Sequence, residues 1–111
     1  MKTTATIKRQ VQKIRQVAIR GIIGVLERHE VTELSCVETE DCPVVQEYYC
    51  EDDNLTLDSI RLTGVTGVEF FCSNNYDNDW IDASVINTDT LIDIWEWLLC
   101  NEDYFFEDYD K

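Results

Sequence analysis

Between Ala5 and His29 the apolar positions recur with a helical period. Ile7, Val11, Ile14, Ala18, Gly21 and Val25 are spaced 4, 3, 4, 3 and 4 residues apart, one stripe on a helix turning by about 100° per residue. The pattern predicts one long helix over 5–29, with the stripe in the core. Arg9, Lys13 and Arg20 fall together on another face. In the second half the apolar arc widens through Ile19, Ile22, Ile23 and Leu26. A helix apolar over more than half its circumference needs two neighbours. One is the chain's own sheet. The other is a second helix or a second subunit. The 4-3 spacing also suits a coiled coil of about three heptads, near the lower limit for such pairing. Ala18 and Gly21 would make a weak zipper and favour close approach to a sheet or another helix.

After His29 the period changes to alternation. Leu34 and Cys36 place a strand at about 32–38, and the segment 39–43 reads as a turn because Pro43 lacks a donor. Val44 to Cys50 is rich in β-branched and aromatic residues and predicts the next strand. Glu51-Asp52-Asp53-Asn54 reads as a polar turn. Leu55 to Thr63 predicts a third strand. Leu55 and Leu57 lie in the opposite phase to Ile60 and Leu62, which requires a bulge or bend near Asp58-Ser59. Gly64 to Gly67 reads as a hairpin connection, followed by a strand with Val68, Phe70 and Cys72 on one face. Ser73 to Asp79 is a polar loop, and Trp80 to Ile86 a last strand with Ile81, Ala83 and Val85 inward.

Thr88-Asp89-Thr90 carries capping chemistry for a second helix. Its apolar face is Leu91, Ile92, Ile94, Trp95, Leu98 and Leu99, with Trp97 and Cys100 outside the main arc. The helix ends near Asn101, because Glu102 would point into the apolar face. The expected fold is therefore a single α+β domain over 1–111: a long N-terminal helix, a four- to five-stranded antiparallel sheet and a C-terminal helix. Both helices cover one sheet face, and an acidic aromatic tail follows at about 102–111.

Charge sharpens this picture. The 111 residues carry 23 acids and 9 bases, a formal net charge of −14. Residues 1–28 hold seven bases against Glu27, giving +6. Residues 29–111 hold Arg61 and Lys111 against 22 acids, giving −20. Such a field repels nucleic acid and anionic membranes and speeds association with basic proteins. Direct nucleic-acid binding would rest on Arg9, Lys13, Arg20 and Lys2 alone, with no interleaved aromatic residue to stack bases. No apolar run approaches the roughly 20 residues of a membrane span.

Chemistry is sparse. The five cysteines, at 36, 42, 50, 72 and 100, lack the two-to-four-residue spacing of a zinc site. Their odd number and the absence of a signal peptide point to a reducing, cytoplasmic setting. Cys36, Cys50, Cys72 and Cys100 read as small buried hydrophobes. His29 is the only histidine and reads as a helix C-cap. There is no phosphate loop and no dinucleotide fingerprint. Asn75-Tyr76-Asp77-Asn78-Asp79 resembles the first three ligands of a calcium loop, but Trp80 and Ile86 stand where Gly and Glu are required. No catalytic residue, metal site or cofactor is therefore expected, and the protein reads as non-enzymatic.

Two functional readings remain. In the first, a small acidic interaction module acts on a basic nucleic-acid-binding partner, as an inhibitor, immunity-type protein or DNA mimic. Its contact residues are Trp97, Tyr104, Phe105, Phe106, Glu107, Asp108, Tyr109 and Asp110, aromatic anchors among carboxylates. In the second, the chain is a structural or regulatory homodimer. Its basic N-terminal helix packs across the partner copy through Arg9, Lys13, Ile19, Arg20, Ile23 and Leu26.

Overall fold

A computed structural model describes residues 2–36, 42–47, 50–64, 67–74 and 78–106. Helix α1 spans Lys2–Arg28 and is followed by β1 (Glu33–Ser35), β2 (Val44–Glu47), β3 (Cys50–Thr63), β4 (Gly67–Cys72) and β5 (Ile81–Asp82). One turn of 3-10 helix, Ala83–Val85, leads to α2 (Thr88–Cys100) and a short α3 (Glu102–Phe106). This is the α+β order read from the sequence, with five antiparallel strands between the helices.

The sheet is organised by β3, which is long enough to serve several partners. Its first half pairs with β2 (Val45 with Leu55, Glu47 with Cys50), and its second half pairs with β1 (Leu34 with Ile60). Strand β4 runs along it from Leu57–Cys72 to Thr63–Gly67, and β5 pairs with β4. The register shifts between Leu57 and Ser59, where the change of apolar phase required a bulge. The extra residue keeps Leu55 and Leu57 on the same buried face as Ile60. Val68, Phe70 and Cys72 are buried as the alternation requires.

Three local expectations change. Glu51 to Asn54 is strand, not turn: Glu47 and Cys50 are register partners and β3 already begins at Cys50. Pairing with β2 outweighs the low strand preference of the acidic run. The last strand is shorter than expected, because Asp82 caps a 3-10 turn by accepting from the Ser84 N–H at 3.0 Å. The tail from Glu102 to Phe106 is helical, while residues 107–111 lie outside the described set, as do 75–77 of the calcium-like loop.

Helix α2 is capped by Asn87, whose side chain accepts from the Asp89 N–H at 2.9 Å, one residue ahead of the expected capping run. It ends at Asn101, as predicted. Helix α1 ends in a Schellman turn. The Val31 N–H donates to the Leu26 carbonyl, the Glu30 N–H donates to the Glu27 carbonyl, and Glu30 adopts φ 58°. One continuous core joins α1, the inner sheet face and α2. Phe70, Ile22, Leu26, Ile60, Ile94 and Leu98 are among its fully buried side chains, each worth about 1.5–3 kcal/mol of burial.

Candidate interaction face on the helical layer

Helices α1 and α2 lie side by side, parallel and in step. Arg15 bonds the start of α2 at Thr88, Gly21 lies against Trp95, and Arg28 bonds Glu102. The sequence separation stays at 73–74 throughout, so the helices advance together without crossing steeply. Thirteen residues of α1 precede Arg15, and every described side chain from Ile7 to Ile14 is exposed. The first half of α1 therefore runs about 20 Å beyond the start of α2.

Three contacts hold the pair. At the near end the buried Arg15 donates to the carbonyls of Ile86 (2.6 Å), Ala83 (3.0 Å) and Ser84 (3.3 Å) and to the Thr88 hydroxyl (3.1 Å). These bonds compensate the desolvation of the guanidinium and tie α1 to the segment entering α2. In the middle the indole of Trp95 covers Gly21 so closely that a Cβ there would overlap the ring. At the far end Glu102 receives Arg28 Nε at 2.7 Å and His29 Nε2 at 2.6 Å. The His29 ring stacks on Phe106 with centroids 3.9 Å apart. The Arg28 bond, then the His29 bond, holds the Glu102 carboxyl below the usual carboxylate range. His29, read as a helix cap, instead ties the end of α1 to α3 through a carboxylate and an aromatic ring, while the backbone N–H groups of Glu30 and Val31 close the helix.

The apolar stripe of α1 has two fates. From Ala18 onward it enters the core. Ahead of that point Ile7 (54% exposed), Val11 and Ile14 (47%) face solvent, as does Val17 (55%). The expectation that Ile14 is a core residue is overturned, because the helix outruns the body that would cover it. Conversely Ile19, Ile23 and Leu26, read as a face for a second copy, are buried in the chain's own core. Sheet and α2 together supply the two neighbours that the wide arc demanded. Arg9, Lys13 and Arg20 are exposed, as the polar face requires.

The C-terminal residues divide similarly. Trp97, expected outside the main arc of α2, is buried and stacks edge-on with Phe105 at 5.2 Å. Its Nε1 has no hydrogen-bond partner among the described residues. Phe106 is buried and Phe105 packs against the core. The side chain of Tyr104, and Glu107, Asp108, Tyr109 and Asp110, lie outside the described set. The apolar margin of α2 that stays at the surface is Ile92 and Trp95, both half-buried, and Leu99, 45% exposed. At about 100° per residue these lie on the outer side of α2, while Val17 and Gly24 lie within about 60° of Gly21 on the outer side of α1. The two margins form a shallow apolar groove floored by Trp95.

Other sites offer less chemistry. A cleft of about 460 Å³ lies between α1 and the β4–β5 edge, lined by Gln12, Arg15, Gln16, Asp82 and Ser84 among others. Arg15 turns its donors to backbone carbonyls there. On the outer sheet face Arg61 lies 4.1 Å from the Trp80 ring centroid and pairs with Glu69 at 2.8 Å. Among the described residues no three His, Cys, Asp or Glu side chains gather as metal ligands, and no helix is long and apolar enough to cross a membrane. Burial pushes the Cys36 and Cys72 thiols up to about 12, as small buried hydrophobes, whereas Cys100 is exposed, against expectation. The side chain of Cys50 lies outside the described set.

Comparison with protein-family models, with curated proteins and with solved structures gave no match.

The groove was missed in the sequence because a stripe at core spacing does not reveal where its covering element begins. Arg15 was missed because a lone base in a basic helix carries no motif. Its place one turn before Ala18 and Ile19, in line with Ile22, was the available sign.

Proposed function

We propose that this protein acts by contact with another protein and catalyses no reaction of its own, and that the contact face is the outer side of the α1–α2 layer. One observation carries the reading: Ile14, Val17 and Leu99 are about half exposed beside the half-buried Ile92 and Trp95. Isolated exposed apolar residues are ordinary, but a contiguous patch rimmed by charge marks an interaction surface. A half-buried tryptophan at its centre supplies the usual kind of anchor.

The acidic form of this reading, an inhibitor or DNA mimic acting on a basic nucleic-acid-binding partner, draws on the −20 charge of residues 29–111. Its support is electrostatic, since Trp97 and Phe106 pack inward and are not offered as anchors.

The test is affinity capture on the immobilised chain across a salt titration, with wild type and an Ile14→Asp/Val17→Asp variant compared. Both positions are exposed, so the variant keeps the fold, which circular dichroism checks. The expected result is a stoichiometric bound protein, another copy included, that the variant loses. Equal capture by both overturns the helical face as the contact site. A basic nucleic-acid-binding protein released by salt from both favours the inhibitor or mimic form.

A further inference from the structure

We infer that the occupant of the helical face is a second copy of this chain, related by a two-fold axis running along the helices, so that α1 of each copy lies over α2 of the other. The inference rests on the reading above and names its partner.

The groove has two walls of opposite charge. On the α1 side, away from α2, stand Arg9, Lys13 and Arg20. On the α2 side, away from α1, stand Asp89, Asp93 and Glu96. All six are exposed, and none forms an ion pair among the described residues. Lys13 and Arg20 thus face Asp89, Asp93 and Glu96 across an apolar floor, while Arg9 lies ahead of the start of α2 and the exposed Glu27 follows on the same side of α1, in a chain whose formal charge is −14. Two copies meeting here avoid the repulsion that their net charge imposes elsewhere.

Charge also fixes the axis. An isologous contact joins the same patch on both copies. With the axis perpendicular to the helices, α1 opposes α1 and the basic walls collide. With the axis along the helices, left and right exchange and each basic wall meets an acidic one. The constant offset between the helices then fixes which residues share a level. Arg15 is level with Thr88 and Gly21 with Trp95. An axis along the helices preserves height, so Lys13 meets the partner copy near Asp89, and Arg20 meets it between Asp93 and Glu96. Trp95 lies at the centre, with Val17 about one turn before its level and Leu99 about one turn after it.

Helix α2 is about 20 Å long, and over that length the two packed helices present a face about 20 Å wide. The product is on the order of 400 Å² per copy, the size of a weak, reversible pair.

Sedimentation equilibrium of the full chain tests this, with folding of each variant checked by circular dichroism. Wild type is expected to associate reversibly into dimers as its concentration approaches about 1 mM, with association weakening as salt rises. Val17→Asp weakens it by at least about tenfold. Lys13→Glu/Arg20→Glu sets acid against acid and weakens it by about tenfold or more. Adding Asp93→Lys/Glu96→Lys to that same chain restores it. Association that strengthens with salt, or that the fourfold variant fails to recover, overturns the axis. A monomeric wild type at concentrations near 1 mM, a millimolar ceiling for weak association, overturns the second copy as occupant. The contact-face reading fails by a different result, equal capture by wild type and the Ile14→Asp/Val17→Asp variant.

Discussion

Gly21 of α1 lies directly beneath the indole of Trp95 of α2, with no room for a Cβ between them. The only side chain that lets these two helices close is none. Gly21→Ala gains about 1 kcal/mol of helix propensity, but the added methyl displaces Trp95, and overpacking costs about 1–3 kcal/mol. Trp95 is half-buried and able to swing outward, so the net loss is expected at about 1 kcal/mol, measured by urea denaturation. A Trp95→Leu background should abolish that loss or reverse its sign. An equal loss in both backgrounds would show that the ring is not the obstacle.

Ile14 and Ile22 belong to the same helix and differ in surroundings, 47% against 0% exposed. Ile22→Ala is expected to cost about 2–5 kcal/mol, as for a buried large-to-small change. Ile14→Ala should stay within about 0.5 kcal/mol at protein concentrations low enough for a single copy. Comparable losses at both positions in dilute denaturation experiments would contradict the projection of α1.

Glu102 links α1 to the end of α2, and its carboxyl titrates below the ordinary range because Arg28, then His29, bonds the charged form. A depressed folded-state value stabilises the fold at pH above the unfolded carboxylate value. That contribution declines as pH falls toward the folded value and is gone once pH is below it. Arg28 is half exposed and Glu102 a quarter exposed, so the pair is worth about 0.5–1 kcal/mol at neutral pH. Glu102→Gln should lower stability at pH 7 and converge with wild type near pH 2. A gap unchanged across that window would show that the carboxylate charge is not what the contact uses.

The thiols should separate by burial. Cys100 is exposed, whereas Cys36 and Cys72 are buried with values pushed to about 12, first by desolvation. A thiol reagent at pH 8 is expected to label Cys100 rapidly and to reach Cys36 and Cys72 only through unfolding. Mass mapping of the labelled peptides checks this, and early labelling of Cys72 would contradict the packing of β4.

What the sequence disclosed follows from which forces are local. The period of α1, the phase change at Asp58 and the burial of Val68, Phe70 and Cys72 were legible because side-chain direction follows backbone geometry. The strand through Glu51–Asn54 was not, because its pairing with β2 is a tertiary fact that local polarity conceals. For the candidate site, the exposed bases Arg9, Lys13 and Arg20 were named from periodicity alone. The groove beside them was not, since Ile7 and Ile14 repeat at the same spacing as Ala18 and Val25. Only the point where α2 begins decides which part of the stripe is covered.

Helices α1 and α2 meet at separations of 73–74 residues, and the whole sheet lies between them in the chain. During synthesis α1 therefore emerges well before its neighbour. At typical elongation rates the interval is roughly 4 to 15 seconds, in which Ala18, Ile22, Val25 and Leu26 have no α2 to shelter beside. A nascent chain in that interval is exposed to premature association with other chains and to chaperone capture. Closure of the helical layer is accordingly the late event in its maturation.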